Sequence, residues 1–457
     1  MNAAIVWLFA FINAGFQVVH SSINSGPLYL TPLINKGECK KARNESLVQL
    51  FKDKVNATAH SGYITVNRTA GSNLFFLYFK AQEHPETAPL VLWLQGGPGH
   101  SSLFGQFLQN GPLAIDARGS TYKRNHTIQR HVNIIYLDAP VGAGYSFTKN
   151  ESAYARNLHD VVIQVKAFLK QFLQLFPRLK RRDFYVAGES YGARFAAAVA
   201  HNLLKDRKMK VLLNLRGTIG GVGFLGPILD TADSSKFLYE ASMVTAQGRD
   251  IFSQRFQQMK RLLKQGNVTE ALQLLLGTIL TFSPTQTLFQ NLTLYDNHAS
   301  ALYTKRPPEM MQYFVYANKT DFRKAIHVGQ STEFQRANYV LLKSLSLDFF
   351  TDISRSIELL LNKTRVLFYT AQMDTVFPSS NLLAYFKTLN WTYASAYQTA
   401  DRVPWKPYND YYGNAGYIKQ VQNFTEAVIL GAGHYASVDK PIEAYYLMKQ
   451  FIEGKRY

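Results

Sequence analysis

Gly188-Glu189-Ser190-Tyr191-Gly192 is the stretch best suited to covalent chemistry. It reads G-x-S-x-G, follows the apolar run Phe184–Ala187 and precedes the small-residue run Ala193–Ala200. A strand–turn–helix of this kind lifts a serine into an exposed, strained position, with glycines leaving room around it. Composition alone gives about 0.15 matches to the bare pattern in such a chain, so the flanking elements carry the signal. A serine hydroxyl needs a base and an acid that orients the base. In this context they follow in the order Ser, Asp, His. The run Val366–Thr370 leads into Ala371-Gln372-Met373-Asp374, and Ala427–Leu430 leads into Gly431-Ala432-Gly433-His434. Ser190, Asp374 and His434 are therefore the candidate nucleophile, orienting acid and base. The glycine-rich turn in Trp93–Gly99 predicts an oxyanion hole built from the N–H groups of Gly97 and Tyr191.

These residues need a scaffold that brings strand ends together. Leu90–Leu94, Val132–Leu137, Phe184–Ala187, Val366–Thr370 and Ala427–Leu430 read as buried parallel strands. Between the second and third lies a helix. Leu158, Val161, Val162, Val165, Phe168, Leu169, Phe172, Leu173 and Phe176 recur at helical spacing, and Pro177 stops the pattern. The alternation implies an α/β protein with a mostly parallel sheet covered on both faces. Residues 228–320 differ: helical patterns at Ser234–Ala246, Ile251–Leu263 and Thr269–Leu276 precede a polar stretch with Pro284, Pro307 and Pro308. They are expected to form a helical cap inserted between two core segments, 22–227 and 321–457.

Residues 3–19 are almost wholly apolar and have the size of a signal-peptide core, so 1–21 is expected to be a signal segment. Eleven N-x-[ST] sequons begin at Asn44, Asn56, Asn67, Asn125, Asn150, Asn267, Asn291, Asn318, Asn362, Asn390 and Asn423. Composition would give about three, and the excess argues for a glycosylated protein of the secretory pathway, extracellular or lysosomal. Cys39 is the single cysteine among 457 residues, which excludes an internal disulfide and a cysteine-based metal site. The chain is long enough to bury a core without crosslinks. The net charge of +19 comes from scattered Lys and Arg, densest at Arg178–Arg182 and Lys205–Lys210. It reads as a solvated surface, or as an attraction to anionic glycans or surfaces. No nucleic-acid motif is present, and the run Gly96–Gly99 lacks the Gly-Lys-Ser/Thr of a phosphate loop. No metal or cofactor is expected. Monomer and homodimer both remain open.

WLQGGPGHSS at 93–102, DAPVGAGYS at 138–146, GESYG at 188–192, Asp374 and Gly433-His434 together resemble the serine carboxypeptidase family, from about residue 25 to the C-terminus. Gln95, a non-cysteine at 100, Gln372, Ala325–Gly329 and Gly416–Ile418 resemble its vitellogenic carboxypeptidase-like branch. The resemblance implies an α/β-hydrolase fold and release of C-terminal residues from peptides and proteins. It implies that Gln95, Gly96 and Glu189 bind the substrate's terminal carboxylate. The chain departs from the common pattern at Gln95, at Tyr435 beside the base, and at His100, read as a surface-loop histidine or a titrating group near the mouth. Two alternatives use the same residues: acyl transfer to an acceptor other than water, and a secreted, catalytically weak binding protein.

Overall fold

The computed structural model describes residues 26–205, 211–280, 285–330 and 332–455. The expected signal segment 1–21 and most of the basic cluster at 205–210 lie outside the described residues. Among the described residues there are twelve strands: β1 (Ala59–Asn67), β2 (Ser72–Phe79), β3 (Leu90–Leu94), β4 (Leu113–Ile115), β5 (Thr121–Lys123), β6 (Asn133–Leu137), β7 (Asp183–Glu189), β8 (Asn214–Gly221), β9 (Arg365–Ala371), β10 (Val403–Trp405), β11 (Gly416–Val421) and β12 (Phe424–Ile429). Ten form one sheet in the order β1-β2-β6-β3-β7-β8-β9-β12-β11-β10, while β4 and β5 make a separate hairpin. The six central strands from β6 to β12 are parallel, and antiparallel pairs extend both edges. The chain thus has the α/β-hydrolase fold.

All five strand expectations are met. β8 escaped the sequence reading because Asn214–Gly221 is glycine-rich and has no apolar run, yet it pairs with β7 and β9 at the centre of the sheet. β1 escaped because its buried positions include His60, Ser61 and Gly62.

Apolar side chains fill both faces of the sheet. On one face lies the helix Leu158–Leu175, as its periodicity requires. Asn157 caps it by accepting from the Asp160 N–H at 3.0 Å, and Pro177 follows its end. The helix Tyr191–Lys205 packs on the same face, against β7 and β8, and begins directly after Ser190. Between β8 and β9 the chain leaves the sheet for residues 222–364 and forms no strand among the described residues. The expected helix Ser234–Ala246 is shorter, Ser235–Glu240. Ser242 adopts a left-handed φ of 57°, and Thr245 then caps a new helix, Ala246–Lys264. The stretch read as polar contains a helix at Pro308–Asn318. Pro308 starts it, since a proline at the first turn removes an N–H that has no partner in any case.

Candidate active site

The parallel strands β3, β7, β9 and β12 end on one edge of the sheet, and each delivers a candidate residue there. Ser190 follows β7 with φ of 55°, a conformation L residues rarely adopt. Its N–H donates to the Gly221 carbonyl at 2.9 Å, which ties the turn to β8. Gly192 makes the turn sterically possible, because a Cβ there would lie 2.1 Å from the Leu94 carbonyl oxygen. These contacts realise the elbow expected from the sequence.

His434 stands over the serine, with Nε2 3.0 Å from Ser190 Oγ and Nδ1 2.8 Å from Asp374 Oδ2. Asp374 is fully buried, and its Oδ1 accepts from the N–H groups of Val376 at 2.8 Å and Phe377 at 3.0 Å. The acid is therefore fixed before it orients the imidazole. Residues 298–301 brace both loops: His434 N–H donates to the Ala299 carbonyl at 2.7 Å, Ala301 N–H to Met373 at 3.0 Å, and Thr375 Oγ1 to His298 at 2.5 Å. Nothing in the local sequence signalled this bracing.

The glycine turn after β3 presses on the elbow. A Cβ on Gly96 would sit 2.8 Å from the Glu189 carbonyl oxygen and 2.9 Å from Ser190 Cβ. Gly96 thus packs against the elbow, and Gly97 lines the same cavity as Ser190. Asp138 explains why the blocks at 93–102 and 138–146 occur together. Its carboxylate accepts from Ser101 Oγ at 2.7 Å, Ser102 N–H at 2.8 Å and Tyr145 N–H at 2.8 Å, which anchors the glycine turn beyond the end of β6. Burial pushes the Asp138 carboxyl up to about 7 despite these three donors.

Gln95 and Glu189 lie beside the serine, lining the same cavity. The Trp93 indole donates to Gln95 Oε1 at 3.0 Å, so the Gln95 NH2 is the end left to serve as a donor. Glu189 is buried and collects three donors that sequence reasoning missed. Tyr369 OH at 2.6 Å and Ser437 Oγ at 2.9 Å reach Oε1, and Gln109 Nε2 reaches Oε2. Burial raises the Glu189 carboxyl above its ordinary range, and the three donors and the nearby His434 pull it back. Tyr191 is itself locked, its OH donating to Asp348 Oδ2 at 2.5 Å, while Arg194 Nε binds the same oxygen at 2.9 Å.

His100 lines the cavity. Burial, helped by the positive charge of Arg336, lowers it to about 4. It is neutral over most of the pH range, and its place is the cavity wall rather than the loop surface. Tyr435 flanks the base, with ring centroids 5.9 Å from His434 and 5.7 Å from Phe104. Ten of the eleven sequon asparagines are exposed, while Asn423 is half-buried.

A serine on an elbow, hydrogen-bonded to histidine and through it to a buried aspartate at the carboxyl edge of a parallel sheet, defines a serine hydrolase of the α/β-hydrolase class. The chain belongs to the serine carboxypeptidase family, whose family model matches residues 50–454. It is 37% identical to a venom serine carboxypeptidase of Apis mellifera over 446 residues, 96% of this chain and 94% of that protein. It is 34% identical to the human probable serine carboxypeptidase CPVL, covering 94% and 90% of the two chains, and 30% identical to a vitellogenic carboxypeptidase of Aedes aegypti, covering 93% and 89%. Among solved structures, the prohormone-processing carboxypeptidase Kex1(delta)p of Saccharomyces cerevisiae superposes with a TM-score of 0.72 at 17% identity. The match covers 90% of this chain and 96% of that one, and it supports the fold.

Proposed function

We propose that this protein is a secretory-pathway carboxypeptidase, extracellular or lysosomal, that releases C-terminal residues one at a time through an acyl-enzyme on Ser190. The observation that carries this reading is the continuous hydrogen-bonded line Ser190–His434–Asp374 beside a buried, protonatable Glu189. His434 Nε2 takes the Ser190 proton as Oγ attacks the scissile carbonyl. The developing oxyanion is received by the N–H groups of Gly97 and Tyr191. His434 then returns the proton to the leaving amine, and water repeats the sequence to free the acid.

Exopeptidase action follows from the cradle beside the serine. The Gln95 NH2, the Gly96 N–H and protonated Glu189 are the donors for a substrate's terminal carboxylate. Two ionised carboxylates in contact would repel, so the proton on Glu189 is required for binding. Because the Glu189 carboxyl is raised, this proton is kept in acid and lost as pH rises. Activity is therefore highest in acid. The exposed sequons and the apolar segment at 3–19 support the secretory setting.

The test has two readouts. A serine-directed phosphonate probe should label the folded protein, and Ser190→Ala or His434→Ala should abolish labelling. Mass spectrometry of a peptide mixture should show stepwise loss from C-termini only. A kcat/KM that rises steadily to about pH 9 would remove Glu189 from the proposed role.

A further inference from the structure

The cavity in front of Ser190 has a volume of about 390 Å³. Gln95, Gly96 and Glu189 line one part of it, and Arg306, Met310, Tyr313, Phe314 and Arg336 supply another wall. Aromatic contacts connect the base to that wall. Tyr435 meets Phe104 at 5.7 Å, Phe104 meets Tyr313 at 5.8 Å, and Tyr313 meets Phe314 at 5.0 Å between ring centroids. At the far end the Arg336 guanidinium sits 4.4 Å from the Phe314 centroid. An apolar strip thus runs from the residue beside His434 out to a fixed cation.

Arg336 is exposed and has no carboxylate at ion-pair distance among the described residues. Its polar contact is Met311 Sδ at 3.5 Å. A guanidinium held by a ring face keeps its forked donors available to a carboxylate. Arg306 adds a second positive charge to the lining. Among the described residues, the one carboxylate lining the cavity is that of Glu189, whose burial favours its neutral form. His100 and His298 do not change this balance. Burial first, then Arg336, holds His100 to about 4, and burial, then Arg306, holds His298 to about 3. The arginines therefore set the sign of the field in the cavity.

We infer that Arg336, together with Arg306, selects peptides whose released C-terminal residue is Asp or Glu. This rests on the carboxypeptidase reading above. The terminal carboxylate enters the cradle of Gln95, Gly96 and Glu189. The side chain of the same residue enters the strip at its Phe104 end. A glutamate places its methylenes on the nearest rings and its carboxylate in the positive field of the arginines. Glutamine fills the same volume without the charge, and lysine brings a like charge to the arginines.

The experiment compares kcat/KM for N-blocked dipeptides with penultimate Phe and terminal Glu, Gln, Leu or Lys. It is run near pH 6, where a free glutamate side chain is ionised. Glu should exceed Gln about tenfold and Lys should be slowest, and about 0.5 M salt should shrink the Glu/Gln ratio. Arg336→Gln should bring that ratio to about one, and Arg336→Glu should invert the order of Glu and Lys, with melting curves verifying that both variants fold. Equal rates for Glu and Gln in the wild type, or an unchanged ratio in Arg336→Gln, would overturn the inference. So would a preference that follows an acidic penultimate residue instead. If Leu is released without any charge preference, this inference fails and the carboxypeptidase reading stands. Release from no member of the panel overturns both.

Discussion

Beside Ser190, Glu189 is buried and both of its oxygens accept hydrogen bonds. On the far wall of the same cavity, Arg336 is exposed and meets a sulfur and a ring face. The first region is made of strand ends and the turns that follow them. The second comes from the excursion between β8 and β9. Strand ends are held by a ladder on each side, so a side chain placed there keeps its position and its partners. Arg336, exposed and without an ion pair among the described residues, can change charge without disturbing the sheet. On the inference above, chemistry belongs to the sheet edge and side-chain selection to the excursion, whose Arg336 lies in the loop before the helix Tyr339–Ser344.

The largest effect that would sharpen this division is at the sheet edge. Asp374→Asn keeps the shape but leaves His434 in the wrong tautomer, and kcat should fall about 10⁴-fold with KM little changed. An equal loss of kcat for every substrate in Arg336→Gln would break the division.

Glu189→Gln should lower kcat/KM about tenfold in acid by weakening the grip on the terminal carboxylate. It should also flatten the decline at higher pH, because the titrating group is gone. A retained decline would place the responsible proton elsewhere.

Gln109→Ala tests the same carboxyl from its other side. It removes a donor to the charged form of Glu189, so the carboxyl rises further and the alkaline limb of kcat/KM moves to higher pH. A shift to lower pH would contradict the assigned direction of that hydrogen bond.

The smallest effect lies away from the cavity. Asn157→Ala removes the cap of the helix Leu158–Leu175 and should cost about 1 kcal/mol, read as a lower denaturant midpoint at constant m, with the pH profile unchanged.

The two regions were unequally legible in the sequence. The elbow announces itself because its strain is local: a serine at positive φ needs a strand before it, a helix after it and glycine at 192, all within a dozen residues. β2 was not among the expected strands although Leu74–Phe79 is a plain apolar run, and β1 and β8 hide behind buried polar or glycine positions that only neighbouring strands justify. The helix Pro308–Asn318 hides behind its first proline, which punctuates a chain in one context and opens a helix in another.

By itself the sequence determined the candidate nucleophile, acid and base, their order and the sheet beneath them, because strand period, helix period and turn chemistry act over short spans of chain. Only the tertiary structure decided what surrounds them. Gln109 and Tyr369 reach Glu189 across separations of 80 and 180 residues, and Ser437 does so across 248. Residues 298–301 brace the Asp374 and His434 loops, and Arg336 joins the cavity from the excursion. No local pattern encodes such meetings. They follow from parallel strands that end side by side and from an excursion that must fold back over the edge it left.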